Sequence, residues 1–123
     1  MAFVLTPGQR HDAAAFGELL AAVPPECHPP KALADKAYDS AAIRAALEEG
    51  GMEPVIPSRS NSTDPAPLDK REYRERNRVE RLINKLKQFR RIATRYEKLG
   101  AVYMAMVHIA SALIICREFV NTP

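Results

Sequence analysis

The sequence predicts an α/β fold: a small parallel sheet of about three strands with flanking helices, followed by two C-terminal helices. Two observations predict it. Short apolar segments alternate with helix-like segments through residues 1–56, and Pro or Gly separates them. Beyond residue 68 the apolar residues recur at helical spacing and no strand pattern follows. A chain of 123 residues has room for one domain, spanning residues 1–123.

The first predicted strand is AFVL, at residues 2–5, and Thr6-Pro7-Gly8 ends it. A strand this close to residue 1 suggests that its sheet began upstream. Asp12 is the predicted N-cap of a helix through AAAFGELLAAV, which Pro24-Pro25 stops. Ala32–Ala34 is the second predicted strand, with Asp35 at its C-terminal end.

Asp39 or Ser40 can cap the next helix, AAIRAALEEG, and Gly50-Gly51 supplies its stop. The run MEPVIP is the third predicted strand. Strands separated by single helices pair in parallel, with the helices as crossovers. Residues 57–67, PSRSNSTDPAP, have the composition of a loop.

Two helices complete the chain. From Leu68 or Asp69 a helix of about twenty residues is predicted, since nothing breaks it before Arg91. The second helix, from Ala101 to about Val120, is almost wholly apolar. Because this segment contains His108 and Ser111 and ends in charged residues, we interpret it as a packed core helix rather than a membrane span.

Charge divides the chain into an acidic and a basic part. Residues 1–69 carry five Lys or Arg against ten Asp or Glu, a net −5, whereas residues 70–123 carry thirteen against five, a net +8. The basic part predicts a polyanionic partner. The start of the chain lacks the pattern of a signal peptide, so we expect a cytoplasmic protein and no membrane partner. Cys27 and Cys116 are expected to be free thiols in that reducing compartment.

On a helical wheel at 100° per residue, Tyr73, Arg76, Glu80 and Lys87 share an arc of about 60°. Val79, Leu82, Ile83, Leu86 and Phe89 form an apolar face, and Arg74, Arg78, Arg81 and Lys85 form a basic sector. The wheel alone also fits an ordinary solvated face with intrahelical ion pairs.

The spacing of Tyr73, Arg76, Glu80 and Lys87 resembles the Y-R-E-K signature of DDE transposases of bacterial insertion sequences, the group typified by insertion sequences four and five. The resemblance extends over LTPGQRHD, LADKAYDS, PVIP, RNRVERLINKLKQFRRIATRYEKL and the closing apolar helix, in that order. It therefore covers nearly the whole chain, as the C-terminal half of such a transposase.

The resemblance implies a partial ribonuclease-H-like fold whose carboxylates hold two Mg²⁺ (or Mn²⁺) ions that cut and join DNA. Asp35 corresponds to the second carboxylate and Glu80 to the third. Tyr73, Arg76 and Lys87 correspond to the signature positions thought to bind DNA near the cut. Arg81, Arg90, Arg91 and Arg95 are expected to extend this DNA-binding surface, whose target would be the terminal inverted repeats of the element.

The first carboxylate of the family has no counterpart here, and Asp12 is better explained as a helix cap. This absence has three explanations: a second reading frame joined to the first by frameshifting, a remnant of a decayed gene, or an incorrectly assigned start. The first is our working hypothesis, with the upstream half of the transposase as a partner. A sheet without its first strands would leave an exposed edge, so we also expect self-association.

A different function stays open, that of a catalytically silent DNA-binding or partner-binding fragment that inhibits intact transposase. The basic sector would survive truncation, whereas the metal site would not. An independent ribonuclease-H-like nuclease is the weakest alternative, because two of these carboxylates seldom suffice for two metals.

Overall fold

The computed structural model describes residues 2–94 and 98–121. They form two units: an N-terminal unit of Ala2 and Val4–Asn77, and a C-terminal unit of Phe3 and the described residues from Arg78 onward. The chain is a mixed α/β protein, mostly helical, with a two-stranded parallel sheet and a long C-terminal helix.

The N-terminal unit contains the sheet. Its strands are β1, Lys31–Leu33, and β2, Glu53–Val55, and its helices are α1, Phe16–Ala21, α2, Ala41–Glu49, and α3, Lys70–Tyr73. Short 3₁₀ turns lie at Asp12–Ala15, Pro25–Cys27, Lys36–Tyr38 and Arg74–Arg76.

β1 and β2 pair in parallel, with Lys31 opposite Glu53 and Leu33 opposite Val55. α2 is the crossover helix between them, as predicted. Beneath it, Leu47, Met52 and Ile56 form the core, with Ile56 only 1% exposed. Ala32 of β1 and Ala34, the residue before Asp35, pack against this apolar cluster.

The strand predicted at AFVL is absent from the described residues, where 2–7 have no regular structure. Phe3 instead packs in the C-terminal unit, where its ring meets His108 edge to face at 5.4 Å. No described strand pairs with this segment, and an isolated strand gains no ladder hydrogen bonds. The predicted count of about three strands is therefore two in the part described.

The caps explain where the helices begin and end. Ser40 caps α2, its Oγ accepting from Ile43 N at 3.1 Å, and Gly51 follows the helix with a φ of +76° that favours glycine. The Asp12 cap prediction is wrong, because His11 occupies the N-cap position and Asp12 is the first residue of the 3₁₀ turn. The loop prediction for residues 57–67 is confirmed.

The long helix predicted from residue 69 is interrupted. Asp69 caps α3 as expected, accepting from Arg71 N and Glu72 N, but a 3₁₀ turn at Arg74–Arg76 separates α3 from α4, Asn77–Lys87. Ion pairing of Glu72 with Lys31 of β1 ties α3 to the sheet. A 3₁₀ turn advances by about 120° per residue. A helical wheel drawn at 100° per residue therefore does not give the relative directions of side chains on the two sides of this junction.

The C-terminal unit consists of α4 from Arg78 onward, α5, Arg90–Thr94, and α6, Gly100–Val120. Leu86 of α4 packs against Ala110 and Ile114 of α6, with Leu82, Phe89 and Ile92 around them. The rest of the apolar face predicted for α4 stays open, with Val79 51% exposed and Ile83 44% exposed.

The prediction of a packed core helix holds for one face of α6 only. Its buried residues are Val107, Ala110, Ser111 and Ile114, whereas Ile109 is 62% exposed. α6 is long and apolar enough to cross a membrane, with a mean hydropathy of 1.6, and 22% of that apolar window is buried. Cys27 and Cys116 are both free, as expected, and both are exposed.

Candidate functional site

Asp35 lies just past the C-terminal end of β1, as the sequence predicted. Ala34 leaves the strand with a hydrogen bond from its N–H to Val55 O, and Asp35 then caps the 3₁₀ turn at Lys36–Tyr38. Its Oδ1 accepts from Ala37 N at 2.9 Å. These local contacts hold the half-buried carboxylate of Asp35 in a defined orientation at the end of the strand.

The Asp35 side chain lines an open cavity of about 920 Å³ in the N-terminal unit. His11, Asp12, Lys36 and Arg59 line the same cavity. Burial raises the pKa of the Tyr38 phenol, and the charges of Asp12 and Asp35 raise it further. Two carboxylates and two cations therefore face one opening beside the sheet.

A partly buried ion pair connects to this cavity through Arg59. Asp39 Oδ1 accepts from Arg44 Nε at 2.9 Å and from Arg44 Nη2 at 2.8 Å, and Arg44 Nη2 also donates to Ile56 O at 2.8 Å. Asp39 Oδ2 accepts from the backbone N–H of Arg59 at 2.8 Å. The bond from Arg59, followed by those from Arg44, holds the pKa of Asp39 below its usual range.

Sequence reasoning missed Asp12 and Arg59 as cavity residues. A signal for Arg59 was available: the carboxyl ends of parallel strands meet at one edge of a sheet, and Arg59 follows β2 by four residues. Asp12 carried no comparable signal, because its position depends on how the 3₁₀ turn at Asp12–Ala15 packs.

Tyr73 and Arg76 are brought together in the N-terminal unit. The Arg76 guanidinium carbon lies 5.5 Å from the centroid of the Tyr73 ring, within cation–π range. Both side chains are half-buried. Lys31 supports this segment from β1 by pairing with Glu72, and the hydrogen bond that Lys31 donates to the Glu72 carboxylate raises the pKa of Lys31.

The remaining predicted site residues lie in the C-terminal unit and are exposed. Glu80 and Lys87 occupy α4, two helical turns apart, so they share one side of that helix. Arg81 is on α4, and Arg90 and Arg91 begin α5. Arg95 lies outside the described residues.

The basic sector predicted on α4 lies partly along α6. Arg78, Arg81 and Lys85 line a cavity of about 400 Å³ with Ile114 and Phe119. Lys85 pairs there with Glu118, and this contact lowers the pKa of Glu118. The sector is therefore not a uniform cationic face.

Among the described residues, no group of three or more His, Cys, Asp or Glu side chains is arranged to hold a metal ion. The chemistry of the two predicted ligands nevertheless suits Mg²⁺, which prefers oxygen donors and commonly takes only one or two carboxylates from a protein. Asp35 and Glu80 are such donors, and the Asp35 carboxylate opens on a cavity.

Comparison with known proteins identifies the family. The transposase DDE domain family matches residues 1–115. A Brucella ovis protein named as the transposase for insertion sequence element IS6501 is 37% identical over 116 residues, which are 91% of this chain and 85% of that protein. No solved structure matches the chain.

The similarity therefore runs through both structural units and includes the segments that hold Asp35 and Glu80. Members of the family are typically metal-dependent and bind DNA. The chain belongs to the transposase DDE domain family, as an insertion-sequence protein of DNA transposition.

Proposed function

We propose that the chain supplies Asp35 and Glu80 as ligands for the catalytic Mg²⁺ or Mn²⁺ ions with which a transposase cuts and joins DNA at the ends of its insertion sequence. The observation that carries the proposal is the Asp35 carboxylate, fixed by Ala37 N at a strand end and opening on a cavity with two cations. Ligands in α/β sheets gather at this edge. Membership of the DDE family supports the same assignment.

Bound ions would activate water or a 3′-hydroxyl and stabilise the leaving oxygen of an in-line displacement. The residues of the chain itself orient and hold the two carboxylates. Ala37 N keeps one carboxylate oxygen of Asp35 in place, and Glu80 presents its carboxylate from the first turn of α4. Lys36 and Arg59 counter the charge that Asp35 and Asp12 place at the cavity, so a phosphodiester can approach.

The proposed DNA-binding residues are Tyr73, Arg76, Arg81, Lys87, Arg90 and Arg91. The pair of Tyr73 and Arg76 offers a fixed guanidinium, because the aromatic ring restrains it. Lys87, Arg90 and Arg91 follow one another at the junction of α4 and α5 and are exposed. Phosphate contacts from such residues give affinity without sequence preference, so recognition of the terminal inverted repeats requires further contacts.

The proposal also includes a partner for the site. We propose that the upstream half of the transposase provides the first carboxylate and the strands that complete a ribonuclease-H-like sheet. The described sheet has two strands, so each strand has an unpaired edge. Such edges pair with other chains, which supports both docking of an upstream half and self-association of the chain by itself. We further propose that the activity takes place in the bacterial cytoplasm, at the nucleoid, where such a DNA substrate lies.

A second function, that of a silent fragment which occupies DNA or pairs with intact transposase, is favoured by the exposed cations of α4 and α5. These side chains need no metal to bind phosphate. The nucleotide sequence upstream separates the two functions. An overlapping frame that encodes two strands and an Asp, with a slippery run at the junction, supports the divided transposase, whereas a lone frame supports the silent fragment.

Cleavage of element-end DNA tests the proposal directly. The chain is mixed with the polypeptide encoded upstream, and nicking is followed with Mg²⁺ or Mn²⁺ present. We expect cleavage that Asp35→Asn and Glu80→Gln abolish and that Asp64→Asn, a change at an exposed loop residue, leaves intact. Cleavage that survives both ligand changes would remove Asp35 and Glu80 from the chemistry.

A further inference from the structure

Arg59 and Asp35 hold opposite ends of the same residue. Asp35 Oδ1 accepts from Ala37 N at 2.9 Å, and Arg59 Nη2 donates to Ala37 O at 3.2 Å. One residue therefore sets the positions of a carboxylate and a guanidinium side by side. Both side chains line the 920 Å³ cavity.

The backbone of Arg59 is also held in place. Its backbone N–H donates to Asp39 Oδ2 at 2.8 Å, and Arg44 holds Asp39 from α2. Arg44 and Asp39 are largely buried, with side chains 19% and 15% exposed, whereas Arg59 is exposed. A partly buried ion pair thus holds the backbone of Arg59, whose exposed side chain lines the cavity.

The donors of this cavity suit an oxyanion. A guanidinium has five N–H donors, and the bond to Ala37 O uses one of them. Ser60 and Asn61 line the cavity next to Arg59, and a hydroxyl and an amide can each donate to a phosphate oxygen. The planar fork of arginine binds two phosphate oxygens at once.

We propose that Arg59 binds a phosphodiester of the DNA strand in the Asp35 cavity and so positions that strand beside the metal ligand. The inference rests on the proposed function, in which Asp35 is that ligand. Arg59 is a substrate-positioning residue outside the Y-R-E-K signature, and it comes from the loop after β2.

The test measures binding of the full chain to a duplex of random sequence by fluorescence anisotropy, in EDTA and over a series of KCl concentrations. We expect Arg59→Gln to weaken binding by roughly five- to tenfold and to reduce the slope of log K against log salt by about 0.9. Arg71→Gln is the matched control, because Arg71 is an exposed cation of the same unit that does not line the cavity. Equal effects of the two changes would overturn the proposal.

A double-mutant cycle ties Arg59 to Asp35. Without metal, Asp35 repels a phosphate held by Arg59, so Asp35→Asn is expected to strengthen binding in the wild-type background and much less in Arg59→Gln. Additive effects of the two substitutions would contradict the proposal that Asp35 and Arg59 act on the same phosphate. If Arg59→Gln does not fold, Arg59→Lys is expected to keep the salt slope but to lose affinity, since lysine lacks the fork. Unchanged affinity in Arg59→Lys would count against the proposal.

Failure here is distinguishable from failure of the proposed function. The binding assay contains no metal, whereas the role of Asp35 as a ligand is read from metal titration. If metal binding depends on Asp35 but DNA binding does not depend on Arg59, the proposed function stands and this inference is rejected.

Discussion

Asp39 and Arg59 are joined by a hydrogen bond of 2.8 Å from the backbone N–H of Arg59 to Asp39 Oδ2, across a sequence separation of twenty residues. The bond connects the segment after β1 to the segment after β2. Because Arg44 holds the other oxygen of the same carboxylate, Asp39 links α2, the Asp35 turn and the Arg59 loop.

Replacing Asp39 by Asn is expected to lower stability at neutral pH and to flatten its acid dependence. The folded pKa of Asp39 is depressed, so its contribution is present above the unfolded pKa of about 3.9 and is lost as pH falls through the lower folded value. Urea midpoints of both chains from pH 7 down to the acid limit of folding measure this. Asp64→Asn is the control, and an Asp39→Asn chain that keeps the wild-type acid dependence would refute the linkage.

Two isoleucines of α6 provide a matched pair for the packing of the C-terminal unit. Ile114 is 8% exposed and contacts Leu86, whereas Ile109 is 62% exposed. Ile114→Ala is expected to cost about 2–4 kcal/mol of unfolding free energy, because it leaves a cavity. Ile109→Ala is expected to stay within about 0.5 kcal/mol. Chemical denaturation checks both, and equal losses would contradict this orientation of α6.

Two glycines test the backbone around the sheet. Gly51 has a φ of +76°, so Gly51→Ala is expected to destabilise the chain by about 1 kcal/mol or more. Gly17 lies in α1 with open space around the added methyl group, and Gly17→Ala is expected to stabilise by up to about 1 kcal/mol. Thermal melts of both variants are the measurement. Stabilisation in Gly51→Ala would mean that the turn before β2 is not formed.

Lys87 tests the DNA-binding role of the signature. Lys87→Gln is expected to weaken binding to duplex DNA and to lower the salt slope by about 0.9, because one phosphate contact is lost. Lys98→Gln removes another exposed cation of the same unit and is expected to change neither quantity. Anisotropy titrations at several salt concentrations compare the two. Identical slopes for wild type and Lys87→Gln would exclude a direct phosphate contact.

Local sequence features predicted much of the N-terminal unit. The Ser40 cap and the glycine stop of α2 depend on neighbouring residues, and the parallel pairing of β1 with β2 follows from the single helix between them; all three are confirmed. The position of Asp35 at a strand end followed from the same pattern. These features are short in range, so a single sequence contains them.

Longer-range features were harder to predict. The break at Arg74–Arg76 coincides with a pairing of Glu72 to Lys31, forty-one residues away, which no helical wheel contains. Ile109 is exposed because it lies outside the face of α6 that packs in the C-terminal unit. Apolar composition alone does not indicate which face of the helix is buried. The side chains of Arg59 and Asp35 both bond to the backbone of Ala37. An alanine in the sequence gives no indication of these two contacts.

Titration of Mn²⁺ into the chain, alone and mixed with the polypeptide encoded upstream, tests the assignment of Asp35 and Glu80 most directly. Asp35→Asn is a suitable variant because an Asn oxygen can still accept from Ala37 N and preserve the turn. We predict weak binding by the chain alone and tight binding by the mixture, lost in Asp35→Asn and in Glu80→Gln but kept in Asp64→Asn. Tight binding that persists in both ligand variants would contradict the account.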